Sequence, residues 1–415
     1  MSTIIEGIQA VKIYNSRGEE TLEIEVFTET GYGRASAPAG ASTGKAEVVS
    51  YPEGGVDQAI SKINEVITPE LIDMNAEEQE TIDTLLHEID GTEDFRILGG
   101  NTVCSISLAI AEAASNSYGI SLYQYLGGFL TTELPYPLGN VLGGGKHTSG
   151  KTLDFQEILV LPLKSKTFAE AAKANIKVHQ KVGFFLKKKN VSFTGGKGDE
   201  GGWAPNIDNE DALEIVSRAA EEVSEEMDIK CKIGLDIAAS ALWNPEKEHY
   251  IYSGDEKLNS GEQVDFIIDI AEKYNLAYIE DPLHEDDFEG FAELTEKVKG
   301  CLICGDDLFV TNQGRLADGI RIGAGNSIII KINQVGTLTD VQNTVRLAEK
   351  NQYLPVMSHR SGETTDPYLA HLAVAFRCPI IKTGILGGER ISKINEIIRI
   401  EEMMGDMAKM SVLSL

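Results

Sequence analysis

Basic residues are scarce in this chain of 415 residues: 37 Lys and Arg stand against 65 Asp and Glu, a formal net charge of -28. That field repels nucleic acid and anionic membrane surfaces at long range, so neither is an expected partner. A small anion stays open as substrate, because a local group of lysines, arginines and metal ions reverses the field inside one cleft. Cysteine is sparse too. Cys104, Cys231, Cys301, Cys304 and Cys378 are an odd, scattered set, which fits reduced thiols better than a disulfide framework. No stretch approaches the roughly 20 apolar residues that cross a bilayer. The opening "MSTIIEGIQAVKIYNSRG" lacks the basic and apolar regions of a secretory leader, so a cytoplasmic location is expected. Also missing is a Gly-x-Gly-x-x-Gly turn after any strand, which argues against dinucleotide binding. "PAGASTGKAE" and "GGGKHTSGK" each fail the phosphate-loop pattern and read as glycine-rich lids.

Hydrophobic residues make up 42% and charged residues 25%, an ordinary globular profile, and the length predicts two domains. In "ETLEIEVFT", Leu22, Ile24 and Val26 alternate with Glu23 and Glu25, the period of a half-buried antiparallel strand. Three helical stretches follow, "VDQAISKINEVI", "AEEQETIDTLLHEI" and "NTVCSISLAIAEAASNSYG". Strands followed by helices predict a small α+β domain over residues 1–130. Beyond the Pro- and Gly-bearing "GGFLTTELPYPLGN" the pattern becomes short apolar strands alternating with amphipathic helices. The strands are "QEILVLP", "KIGLDIA", "AYIEDP", "CLICGDD", "SIIIKIN", "LPVMSHR" and "IIKTG". A parallel sheet covered by helices is the expectation, and residues 131–415 suit an eight-stranded β/α barrel.

Such a barrel carries its chemistry at the C-terminal ends of its strands. Those ends supply Asp236, Glu280, Asp306, Lys331, His359, Arg360, Ser361 and Lys382, with Gln156 and Glu157 near the start of theirs. Three carboxylates from separate strands, with no cysteine or histidine at comparable ends nearby, suit Mg2+ better than zinc. Lys331 lies in an apolar strand, where burial lowers a lysine pKa and makes a general base. Lys382 reads as the charge partner of a substrate carboxylate. Glu200, in the glycine-rich "GKGDEGGWAPN", reads as a candidate acid.

The ordered motifs "GASTG", "GDEGG", "IEDP", "DDLFVTN", "KINQVGTL" and "SHRSGET" resemble the enolase family over nearly the whole chain. The resemblance implies a capping α+β domain on a β/α barrel and reversible, Mg2+-dependent dehydration of 2-phosphoglycerate. By position, it implies a first Mg2+ on Asp236, Glu280 and Asp306, and a second held by Ser42 with the substrate phosphate. Lys331 is then the base at C2, and Glu200, with Glu157 beside it, the acid at the C3 hydroxyl. Arg360 and Ser361 take the phosphate, Lys382 faces the carboxylate, and His147, Gln156 and His359 line the pocket. A homo-oligomer, either a dimer or a ring of dimers, is implied as well. Departures from the family pattern fall in lids and supports: Asn15, Glu19, Glu20, Ala39, Gly143, Ala241, Thr365 and the run "KTGILGGER". They motivate two further readings, a paralogue acting on another 2-hydroxy or phosphorylated acid and a weakly active binding or assembly paralogue.

Overall fold

Leu22, Ile24 and Val26 are fully buried in the middle strand of a three-stranded antiparallel sheet of the computed structural model. The sheet comprises β1 (Ile5–Tyr14), β2 (Glu20–Thr28) and β3 (Tyr32–Ser36). The structure describes residues 2–41, 43–148, 153–189, 193–253 and 256–413. Helices α1 (Gly55–Lys62), α2 (Thr68–Leu71), α3 (Gln79–Asp90), α4 (Gly100–Ser117) and α5 (Leu122–Gly127) complete this part. The small residues of α4 let it lie directly on β2 and β3. A Cβ at Gly33 would stand 2.0 Å from the Ala109 carbonyl oxygen, so only glycine permits that approach.

The chain then runs through β4 (Glu133–Leu134), β5 (Tyr136–Gly143), β6 (Glu157–Leu163), α6 (Phe168–Lys189), α7 (Asn209–Met227) and β7 (Lys230–Asp236). A small sheet of β8 (Trp243–Asn244), β9 (His249–Ile251) and β10 (Lys257–Leu258) interrupts the pattern. Next come α8 (Ser260–Tyr274), β11 (Tyr278–Glu280), α9 (Phe288–Lys297), β12 (Leu302–Gly305), α10 (Gln313–Ile322) and β13 (Ser327–Ile330). The last elements are α11 (Leu338–Lys350), β14 (Leu354–Ser358), α12 (Tyr368–Ala375), β15 (Ile380–Gly384), α13 (Gly388–Met404) and β16 (Lys409–Met410), which pairs with β4. Side-chain caps start several helices where the sequence changes from strand to helix. Asn259, for instance, accepts from the Glu262 backbone N–H while the Glu262 side chain answers in return.

Eight strands close the barrel in the order β11-β12-β13-β14-β15-β5-β6-β7. One strand corrects the expectation of a wholly parallel sheet: β6 runs antiparallel to both β5 and β7. Among the described residues the connection from β5 to β6 holds no crossover α-helix, and β6 returns beside β5 in the opposite sense. The reversal brings the start of β6 to the mouth where the other strands end. Glu157 sits opposite Asp236 in the ladder, and Asp236 opposite Glu280.

Candidate active site

Three adjacent strands thus present Glu157, Asp236 and Glu280 at one level, and a single ammonium answers all three. Lys382 Nζ, from β15 across the barrel, lies 2.6 Å from Glu157 Oε2, 2.9 Å from Asp236 Oδ2 and 2.8 Å from Glu280 Oε2. Burial disfavours its charge, but Asp236, Glu157 and Glu280 outweigh that and hold its pKa well above the usual lysine value. Burial, and then the neighbouring Asp236, push Glu280 up to about 8. Gln156 Nε2 donates to Asp236 Oδ2 at 3.2 Å.

Asp306 stands apart from this group. It pairs with Lys331 Nζ, and its Oδ1 accepts from Gln334 Nε2 at 2.9 Å. The Asp306 and Asp307 backbone N–H groups both donate to the Asp281 carboxylate, at 3.0 and 2.8 Å. β13 ends at Ile330, so Lys331 follows the strand rather than lying within it. Its pKa also moves opposite to expectation: burial lowers it, yet Asp306 outweighs burial and the net shift is upward.

A second constellation surrounds Glu200. Gly384 admits this loop, since a Cβ there would stand 2.1 Å from the Glu200 carbonyl oxygen. Asn140 Nδ2 donates to Glu157 Oε1 at 2.5 Å and to Glu200 Oε2 at 3.3 Å. His147 spans the two carboxylates at 3.7 Å from each, and His359 Nε2 approaches Glu200 Oε2 to 3.0 Å. Burial, then the facing Glu200, hold Glu157 well above the usual carboxylate range. Burial acts on Glu200 too, but His359 and His147 outweigh it and hold Glu200 low. Burial and charge thus move the two carboxyl groups in opposite directions, Glu157 up and Glu200 down.

The third group is basic and reaches back to the first domain. Arg360 Nη2 lies 2.9 Å from Glu47 Oε2, and its Nη1 donates to Asn333 Oδ1 at 2.9 Å. Ser361 Oγ accepts from the Ala41 backbone N–H at 2.5 Å, while Ala39 and Gly362 exchange backbone hydrogen bonds. Together the groups enclose a cavity of about 30 Å3, lined by His147, Gln156, Glu200, Asp236, Asp306, Lys331, His359, Arg360, Ser361 and Lys382, among others. Buried polar atoms with no hydrogen-bond partner among the described residues include Asn140 Oδ1, His147 Nδ1, Gln156 Oε1 and His359 Nε2. Unsatisfied buried groups are costly, so their concentration around one cavity marks a ligand site.

Known proteins share this organisation in sequence. Residues 131–413 match the family model described as the enolase C-terminal TIM barrel domain, and residues 5–126 match the enolase N-terminal domain. Similar chains include the enolases of Methanosphaera stadtmanae and Methanothermobacter thermautotrophicus. Each is 53% identical over 404 residues, covering 97% of this chain and 98% and 97% of theirs. The enolase of Archaeoglobus fulgidus is 48% identical over 97% of this chain and 98% of its own. The chain belongs to the enolase family.

Of the residues that the enolase resemblance pointed to, all but Ser42 line the cavity or, as Glu157 and Glu280 do, hold its lysine. Asp236 and Glu280 share a cation, whereas Asp306 is engaged by Lys331. Ser42 lies outside the described residues, between Ala41 and Thr43. Sequence reasoning missed Glu47, Asn140, Arg390 and Lys393. The last two had a signal: with Ile394 and Ile397 they occupy the apolar stripe of α13, and both are buried. A charge on the inner stripe of a helix needs a partner inside. Lys393 finds Glu363 at 2.8 Å, and Arg390 finds His359.

Proposed function

We propose that the chain is a phosphopyruvate hydratase, interconverting 2-phosphoglycerate and phosphoenolpyruvate with two Mg2+ per active site. The observation that carries the reading is the convergence of Lys331, Glu200 and Arg360 on one enclosed cavity. A lysine base with Mg2+ is the general arrangement in enolase-superfamily sites. The units of the proposal are a capping domain of residues 1–130 and a catalytic barrel of residues 131–415, in a cytoplasmic homo-oligomer.

The donor set fits a hard divalent cation. Asp236 and Glu280 offer carboxylate oxygens from paired strand positions and already accept one cation, the Lys382 ammonium. In this reading they hold the first Mg2+ with Asp306, and Ser42 holds the second together with the substrate phosphate. Bound there, Mg2+ supplies positive charge to a carboxylate that becomes more anionic as the C2 proton leaves.

Lys331 takes the C2 proton. A base must be the neutral amine, and burial favours that form once Asp306 is engaged elsewhere. Glu200 is the acid at the departing C3 hydroxyl, with Glu157 beside it. Arg360 and Ser361 hold the phosphate, Lys382 the carboxylate, and His147, Gln156 and His359 fix the substrate between them. A cavity of about 30 Å3 holds about one water, less than the volume of a phosphorylated three-carbon acid. The test is direct: phosphoenolpyruvate formation from 2-phosphoglycerate, with and without Mg2+, by the wild type and Lys331→Ala. Equal inactivity of both folded, metal-supplied proteins would defeat the proposal.

A further inference from the structure

Arg390 is 0% exposed, and no role in binding substrate or metal accounts for it. It sits in the first turn of α13, behind the wall formed by His359, Arg360 and Ser361. Its Nη1 lies 2.8 Å from His359 Nδ1 and donates to the Arg360 carbonyl; its Nη2 donates to the Ser361 carbonyl at 2.6 Å and the Asp199 carbonyl at 3.2 Å. A guanidinium has only donors. His359 Nδ1 must therefore accept, as it also does from the Gly384 backbone N–H at 3.3 Å.

That settles where the ring proton lies. If Nδ1 accepts, a neutral imidazole carries its hydrogen on Nε2. Nε2 is the atom 3.0 Å from Glu200 Oε2, and it has no aligned hydrogen-bond partner among the described residues. A doubly protonated ring would turn an N–H toward the Arg390 cation, which Arg390 opposes.

We propose that Arg390 is a positioning residue: it locks His359 as the neutral, Nε2–H tautomer and keeps that N–H on the side of the acid Glu200 and the substrate beside it. The role deepens the phosphopyruvate hydratase reading and rests on it for the kinetic tests alone. The charged groups facing His359 are Glu200 from the loop before α7, Arg390 from α13 and Glu363 from its own loop; His147 lies beyond Glu200. Glu363 is neutralised by Lys393 at 2.8 Å. Among these, burial lowers the His359 pKa most, Arg390 adds to it and Glu200 opposes, with a result of about 4. Without Arg390 the ring keeps its burial but loses both the cation and the donor that forbids a proton on Nδ1.

The decisive measurement is 15N NMR of the histidine rings, with the His359 signals identified by their absence in His359→Asn. The wild type should show Nε2 protonated and Nδ1 bare, with no titration of His359 at or above pH 6, where an ordinary histidine titrates at about 6.5. Arg390→Gln should mix the tautomers and move the acid limb of the kcat profile to higher pH. It should lower kcat by roughly 10- to 100-fold with a smaller change in KM, as a misaimed group does. Arg390→Lys, which keeps a donor, should restore the tautomer and part of kcat. In the His359→Asn background, Arg390→Gln should cost less than about twofold more, since coupled residues are not additive. A wild-type ring protonated on Nδ1 overturns the proposal whether or not any variant folds. So does a loss from Arg390→Gln that is equal with and without His359, which would mark a backbone staple acting on Arg360 and Ser361. Absence of dehydratase activity in the wild type would defeat the proposed function instead and leave the tautomer result standing.

Discussion

Glu47 and Arg360 form an ion pair across the two parts of the fold, Oε2 to Nη2 at 2.9 Å, with side chains only 7% and 3% exposed. Glu47 follows the glycine-rich loop of the first domain, where Gly44 N–H also donates to it at 3.1 Å. The pair thus ties a lid to the arginine that receives the phosphate in the proposed reaction.

Removing one member of a buried pair leaves the other uncompensated, at a cost of about 3–5 kcal/mol. Glu47→Ala should therefore lower the melting temperature without substrate, and phosphoenolpyruvate, bringing its own phosphate to Arg360, should recover more stability in the variant than in the wild type. Thermal unfolding with and without the ligand checks this. An equal ligand shift in both proteins would show that Arg360 does not meet the phosphate.

Lys382 pairs with Glu157, Asp236 and Glu280 at once. Lys382→Met should cost at least as much as a buried pair, about 3–5 kcal/mol, in the presence of a chelator. Mg2+ should restore part of that loss, because it supplies the missing positive charge. If titrating Mg2+ stabilises variant and wild type alike, Asp236 and Glu280 are not its ligands.

Base and acid can be separated by isotope exchange. Lys331→Ala should abolish exchange of the C2 hydrogen of 2-phosphoglycerate into deuterated water. Glu200→Gln should retain that exchange while phosphoenolpyruvate formation falls by roughly 10^2- to 10^4-fold. Loss of exchange in Glu200→Gln with its retention in Lys331→Ala would reverse the two roles.

Asp366 gives the stability a pH dependence of opposite sign to most carboxylates. Its oxygens accept from the Ser36 and Tyr368 backbone N–H groups at 3.0 Å, yet burial pushes its pKa up to about 7. Because the unfolded chain ionises it near 4, the folded state holds the proton more tightly in between. The contribution of Asp366 to stability therefore falls as pH rises from about 4 to about 7, by at most roughly 4 kcal/mol, less what solvent recovers at this partly exposed residue. Asp366→Asn should flatten that slope in denaturant titrations across the window. An unchanged slope would show that Asp366 ionises normally.

Much of the site was legible because a β/α barrel repeats at short range. Each of Asp236, Glu280, Lys331 and Lys382 ends, or nearly ends, an apolar run, and that local pattern survives folding unchanged. What stayed hidden depends on distant residues. In "QEILVLP" the polar pair stands at the start of the run rather than at its end, the one local trace of the reversed β6, but an apolar run alone does not give a strand's direction. The upward pKa shift of Lys331 comes from Asp306, one β/α unit away, and burial alone suggested the opposite. Glu47 looked like an ordinary lid residue until Arg360 was found against it. Arg390 was visible only as a charge on the wrong side of a helix.

The reversed strand has a bearing on how the protein assembles. β5 and β6 are joined by one loop and pair as an antiparallel hairpin, whereas closure requires β15 to find β5 from the far end of the chain. Local pairings form ahead of distant ones, since less chain entropy is lost in making them. The hairpin that carries Asn140 and Glu157 can thus be in place early, with Glu157 still lacking Lys382. Closure of β15 on β5 is what carries Lys382 to the acidic mouth, so in the folded barrel the ring-closing strand is also the one that answers Glu157 with a positive charge.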